Sequence, residues 1–201
     1  TTALDLAVPD PRSAAGRAPW PEILANALPH VDLFCPSVEE LTFMLRRERF
    51  DAMAARGDLL DQLDAALLCD LAASCLELGA ATVVIKCGRH GLYARAAGRA
   101  RIAAMGAAAP ADAGAWADRE LFAPAFVVDR VASATGAGDS AVAGLLGAVL
   151  TGQDLPTAAA CACAVGAQNV TATDTVSGVR SWEETLGMLD GPRVEPVVSL
   201  D

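Results

Sequence analysis

Ser133-Ala134-Thr135-Gly136-Ala137-Gly138-Asp139-Ser140-Ala141-Val142-Ala143-Gly144 is the stretch on which the fold turns. Two glycines flanking one alanine let the backbone turn tightly and let a bulky anion approach the amide groups. The small apolar residues that follow continue as a helical pattern from Asp139 to Leu150. The amides therefore lie at a helix N-terminus, where unsatisfied N–H groups and the helix dipole favour negative charge. Such a loop is a phosphate cradle or, more plainly, a capped glycine turn. Asp139 fits either account. As a first-turn acid it stabilises the helix by about 1 kcal/mol; beside a phosphate it repels the ligand unless it accepts a proton from an attacking hydroxyl. No Lys-Ser or Lys-Thr follows the glycines, so this is not a Walker loop.

Outward from that loop, strands and helices alternate. Leu4 to Val8 predicts a buried strand ended by Pro9-Asp10-Pro11, and Trp20 to Leu28 a helix with prolines near its start. Val31 to Cys35 predicts a second strand. Ser37 then stands as N-cap with Glu40 three residues on, the capping-box spacing, opening a helix to about Arg47. Leu59, Leu60, Leu63, Leu67, Leu68 and Leu71 form a helical stripe within Asp58 to Leu78, closed by Gly79. Thr82 to Cys87 is β-branched and strand-like; Gly88-Arg89-His90-Gly91 turns into a hairpin partner at Leu92 to Ala94. Residues 104–118 show little pattern, Phe126 to Val128 predicts a short strand, and helices follow at Asp139 to Leu150, Pro156 to Asn169 and Ser181 to Leu189. The alternation predicts an α/β fold with a largely parallel, covered sheet, and residues 1–201 as a single domain.

The bulk composition narrows the class. The chain has 201 residues, 53% of them hydrophobic and 20% charged, which is globular and long enough for a core. A net charge of −10 argues against nucleic acid and anionic membrane as partners. The apolar runs are broken before membrane-spanning length. The six cysteines, at 35, 69, 75, 87, 161 and 163, contain no C-x-x-C pair, which predicts reduced, buried thiols and a cytoplasmic location.

Ala134-Thr135-Gly136-Ala137-Gly138-Asp139 with its small-residue helix resembles the C-terminal signature of the ribokinase-like, or pfkB, carbohydrate kinases, Asp-Thr-x-Gly-Ala-Gly-Asp-x-Phe. The resemblance implies a ribokinase-like, Rossmann-like sheet flanked by helices. It assigns the phosphoryl anion hole to Gly136, Ala137 and Gly138, and the base for the acceptor hydroxyl to Asp139. Ser133, Ala134 and Ala141 depart from the pattern. The first two fall where many members build a monovalent-cation site, and they weaken the expectation of that ion.

Three further segments occur in family order. Pro36-Ser37-Val38-Glu39-Glu40-Leu41 resembles the Asn-x-x-Glu motif that helps order magnesium, with Glu40 at the Glu position and Ser37 at the Asn position; the same residues also make an ordinary capping box. Val83 to Gly91 resembles the strand-turn before the nucleotide site, with Gly88 and Gly91 matching and Lys86 in place of Thr. Lys86 is then either a contact to ATP phosphates or a solvated residue at a sheet edge. Val165 to Val170 and Asp174 to Val179 resemble the segments that flank adenine, which makes Asn169, Ser177 and Gly178 candidates for adenine or ribose contacts. Ala3-Leu4-Asp5-Leu6 followed by Pro11-Arg12 resembles the family strand ending in Asp-x-Asn-x-Arg.

The resemblance implies ATP and Mg²⁺ as cofactors and a sugar-like alcohol as substrate. Nothing in the chain matches the N-terminal portion and lid of the family, so a fragment or trimmed chain is expected, with an unpaired sheet edge that favours a homodimer. The rival readings are a nucleotide-binding or regulatory homologue without catalysis, and a dimerisation module. Nucleoside, hexose, pentose and inositol all stay open as acceptors.

Overall fold

The computed structural model describes residues 1–200. A five-stranded sheet runs in the order β1 (Ala3–Leu4), β2 (Leu33–Phe34), β3 (Thr82–Lys86), β4 (Gly91–Ala96), β5 (Glu120–Pro124). β1, β2 and β3 pair parallel, whereas β4 is antiparallel to both its neighbours. Four of the five strands thus point one way, and the predicted α/β class is the observed one. The hairpin expected after Gly88 is the β3–β4 pair. β1 forms one edge, paired on one side only.

The pleat divides the side chains between two cores. Phe34, Val83, Ile85 and Tyr93 pack into one face with α1 (Trp20–Ala27), α2 (Val38–Leu45) and α4 (Ala65–Glu77). Leu33, Cys35, Val84, Leu92 and Ala94 pack into the other with α6 (Ala137–Leu150) and α7 (Leu155–Asn169). Because side chains alternate along a strand, Asp5 and Lys86 extend the register of the face that meets α6, as neighbours of Leu4 and Ile85 on the opposite face. α6 and α7 lie against each other through Gly144, where a Cβ would come within 2.7 Å of the Cys161 carbonyl, so the small-residue pattern of α6 is what permits the approach.

Several elements differ from the sequence expectation. The first strand pairs over only two residues. The leucine stripe of 58–78 is not one helix: Leu59–Gln62 forms a 3-10 turn capped by Asp58, and α4 starts afresh because the Asp64 carboxylate accepts from the Leu67 amide at 2.6 Å. The helix opened by Ser37 breaks at Arg46, and a separate α3 (Arg47–Ala54) follows. A short α5 (Arg99–Ala103) sits between β4 and 3-10 turns in the alanine-rich stretch. Phe126–Val128 is not a strand; Phe126 makes only an isolated bridge to Arg193, and the fifth strand lies just before it at Glu120–Pro124. α8 (Trp182–Gly187) is opened by a capping box between Ser181 and Glu184. No helix among the described residues is long and apolar enough to cross a membrane.

Candidate active site

The carboxyl ends of β1, β2 and β3 open onto a cleft of about 1150 Å³, where ligands of open α/β sheets are commonly held. Each parallel strand delivers one part of its wall: Asp5 follows β1, Ser37 and Glu40 follow β2, and Lys86 ends β3. Opposite them stands the N-terminus of α6, with Gly136, Ala137, Gly138 and Asp139 all in the lining. Gly88 and Gly91 line it too, together with Arg89. Nine of the twelve sequence-predicted site residues therefore meet in one cavity, three from the first α6 turn and its cap, plus Asp139, and five from the sheet side.

The α6 terminus has the geometry of an anion site. Gly136 is the N-cap with φ +78°, a left-handed conformation. A Cβ there would lie 2.9 Å from Thr175 Cβ, so both backbone and space select glycine. The Ala137 amide donates to the Ala134 carbonyl at 3.2 Å, and the Ser140 amide donates to that of Gly136 at 2.9 Å. Between them, the amides of Gly138 and Asp139 have no hydrogen-bond acceptor among the described residues. Two free donors on a positive dipole end are what a phosphoryl oxygen needs. Asp139 is exposed, and its carboxylate has no hydrogen-bond or ion-pair partner among the described residues. The loop before it is tied down, with the Ala132 amide donating to the Val170 carbonyl at 2.7 Å and the Thr135 amide to Ser133 Oγ at 3.1 Å.

Lys86 is neither solvated nor at a sheet edge. Its strand is the middle of the sheet, its side chain is 15% exposed, and its Nζ lies 2.5 and 2.6 Å from the two Asp5 carboxylate oxygens. A Cβ on Gly138 would stand 3.5 Å from the same Nζ, so the ammonium sits beside the first turn of α6. Asp5 was not singled out by sequence as a site residue; the available signal was an acid at the carboxyl end of a parallel strand.

Ser37 and Glu40 form the predicted capping box: Ser37 Oγ accepts from the Glu40 amide at 3.2 Å, and Glu40 Oε2 accepts from the Ser37 amide at 2.6 Å. Glu40 is only 7% exposed, and burial pushes its carboxyl above the ordinary carboxylate range, against the lowering effects of the Ser37 amide and the Lys86 charge. Its second oxygen has no protein hydrogen bond among the described residues. No cluster of three or more His, Cys, Asp or Glu able to hold a metal occurs among the described residues.

Asn169, Ser177 and Gly178 stand outside the lining. Asn169 is fully buried and donates through Nδ2 to the Thr175 carbonyl at 2.6 Å. Ser177 is exposed and hydrogen bonded to Asp174, and Gly178 packs so closely on the end of α7 that a Cβ would meet the Gln168 carbonyl at 2.3 Å. Together they fix the loop whose Thr175 backs Gly136. The apolar remainder of the cavity includes Val128, Val131, Ala167, Val170, Phe50 and Leu60, none of which was singled out as a site residue on its own.

The model of the pfkB family of carbohydrate kinases matches residues 4–182. The chain belongs to this family. As a pfkB chain it can be set beside solved structures. Aminoimidazole riboside kinase from Salmonella enterica, complexed with aminoimidazole riboside and an ATP analog, superposes with a TM-score of 0.62 at 20% identity, covering 94% of this chain and 52% of that one. Ribokinase from Thermotoga maritima gives 0.58 at 20% identity, with 94% and 48% covered. Ribokinase from Arabidopsis thaliana, complexed with ribose and ATP, gives 0.57 at 17% identity, with 83% and 43% covered. At these identities the likeness is one of fold. The pfkB chain spans about half the length of the solved structures it matches. No curated protein sequence matches it.

Proposed function

We propose that the protein containing this chain transfers the γ-phosphoryl group of ATP to an alcohol of a sugar or sugar-like molecule. The observation that carries the reading is the convergence, in one cleft, of two unpaired amides on a helix N-terminus, the Lys86 ammonium and an unpartnered carboxylate, Asp139. Asp139 accepts the proton of the acceptor hydroxyl as it attacks. The amides of the Gly136–Gly138 turn and Lys86 receive the charge that builds on the transferred group, at fixed positions that need no reorganisation. The two cores share one sheet, which supports residues 1–201 acting as a single domain.

Glu40 suits a magnesium ion held largely through waters and ATP phosphates, since one buried carboxylate with a free oxygen is a common protein share of such sites. Ser37 orients that carboxylate through its amide rather than contributing its own hydroxyl, which caps α2. Bound there, Mg²⁺ supplies neutralisation of the phosphate charge. The low cysteine reactivity expected of buried thiols suits a cytoplasmic protein; Cys35, Cys75, Cys87 and Cys163 are pushed up to about 12 by burial.

The test is Asp139→Asn in the full-length protein, assayed by ADP release against a panel of sugars and nucleosides. Turnover is expected to fall by at least about 10³-fold while ATP binding by calorimetry stays within a few-fold. Unchanged turnover removes Asp139 from the mechanism. ATP binding by the unaltered protein without ADP release on any acceptor would make it a nucleotide-binding protein instead.

A further inference from the structure

We propose that Asp5 is a positioning residue that sets both the aim and the effective charge of Lys86 at the phosphate end of the cleft; the inference rests on the phosphoryl-transfer reading above. Both Asp5 oxygens hold the Lys86 ammonium, at 2.5 and 2.6 Å, and the pair is largely shielded, with side chains 25% and 15% exposed. Each end of the pair is itself fixed. Asp5 Oδ1 accepts from the Leu6 amide at 2.8 Å, and the Lys86 amide donates to the Pro36 carbonyl at 2.8 Å, locking the lysine to the segment that opens α2.

This placement has two consequences. A lysine stem has four rotatable carbons, and an ammonium beside the positive end of a helix is repelled from it unless something holds it there. Asp5 supplies that hold and takes two of the three ammonium protons, on a lysine whose Nζ would lie 3.5 Å from a Cβ built on Gly138. Asp5 also offsets the charge. A polyphosphate entering the cleft meets an ion pair rather than a bare cation, with Glu40 and Asp139 adding further negative charge in the same lining. Ground-state attraction is therefore restrained, while the lysine stays aimed at the position where charge grows during transfer. An arrangement of this kind favours turnover over tight binding of nucleotide.

The separation of the two effects makes the idea testable in the full-length protein. Asp5→Asn removes the offsetting charge and loosens the clamp. Affinity for inorganic triphosphate, measured by calorimetry, is expected to rise about fivefold, while kcat with ATP falls about tenfold. Asp5→Glu, which keeps the charge, should recover most of kcat and restore the original triphosphate affinity. In the Lys86→Met background, Asp5→Asn should change neither quantity, because Asp5 acts through the lysine. Urea unfolding of each variant separates these effects from a loss of fold. Triphosphate affinity that is unchanged or weaker in a folded Asp5→Asn variant overturns the proposal, as does the same shift appearing without Lys86. If the unaltered protein binds neither ATP nor triphosphate, the phosphoryl-transfer reading falls and takes this one with it. If it binds both and Asp5→Asn moves nothing, only the role of Asp5 falls.

Discussion

Gly136→Ala puts the geometry of the proposed anion site to a quantitative test. Two separate penalties follow from the structure. The first is conformational: Gly136 has φ +78°, and holding an alanine in the left-handed region costs about 1–2 kcal/mol. The second is steric. The new Cβ would stand 2.9 Å from Thr175 Cβ and 3.0 Å from its Cγ2, closer than real side-chain contacts. Thr175 has little room to retreat, because its carbonyl accepts from the fully buried Asn169 at 2.6 Å. Overpacking against an anchored neighbour costs about 1–3 kcal/mol, so the total is about 2–5 kcal/mol. Gly152 provides the control. It ends α6 in a Schellman motif, its amide donating to Val149 and the Gln153 amide to Ala148, with φ +77°. No atom lies within 4 Å of a Cβ built there, so Gly152→Ala carries the conformational penalty alone, about 1–2 kcal/mol. Urea unfolding of the full-length protein measures both, with the comparison valid where the slope is unchanged. The pairing of Gly136→Ala with Asn169→Ala should be non-additive, since releasing Thr175 relieves the crowding. A Gly136→Ala variant that loses no more stability than Gly152→Ala would refute the claim that Thr175 is a fixed wall behind the loop.

Two other substitutions separate stability from function. At Gly138 a Cβ meets only the Lys86 side chain, at ordinary distances of 3.5 Å to Nζ and 3.8 Å to Cδ and Cε, so Gly138→Ala should raise helix stability by about 0.5–1 kcal/mol in unfolding experiments while its methyl, crowding the lysine, weakens ATP binding severalfold by calorimetry. Glu40 gives a pH dependence. Its carboxyl is raised by burial above the ordinary 4.5, so the charged form is disfavoured in the folded state; the resulting penalty is full above the raised value and disappears as pH falls to 4.5. Glu40→Gln keeps the capping box and removes the charge. The variant should therefore match or exceed the unaltered protein in stability at pH 7.5, with its advantage shrinking towards pH 4.5; an advantage that grows on acidification would contradict the burial argument.

The parts of this molecule that were legible in the sequence are those set by local chemistry. Ser37 and Glu40 lie three residues apart, and that spacing alone produces the capping box seen at α2. Gly136 permits the left-handed cap of α6, and the first turn of that helix leaves the Gly138 and Asp139 amides without an acceptor among the described residues. What stayed hidden depends on partners distant in the chain. The leucine stripe of 58–78 carries a continuous helical period, yet Asp64 caps a new helix inside it, because an acid at a turn competes for backbone amides and periodicity does not register that competition. β5 went unseen since Glu-Leu-Phe-Ala-Pro has no strand alternation of its own and is specified by pairing with β4, while the apolar Phe126–Val128 beside it instead faces the cleft. The same distinction governs the site. Asp139 and Gly136–Gly138 announce themselves within seven residues, but the meaning of Lys86 depends on Asp5, 81 residues earlier. A lysine at a strand end is open to several readings until its counter-ion is known. Once the parallel register of β1, β2 and β3 sets Asp5 and Lys86 on the α6 side of the sheet, the ammonium lies between the Asp5 carboxylate and the first turn of α6, which is the placement on which the proposed phosphate contact rests.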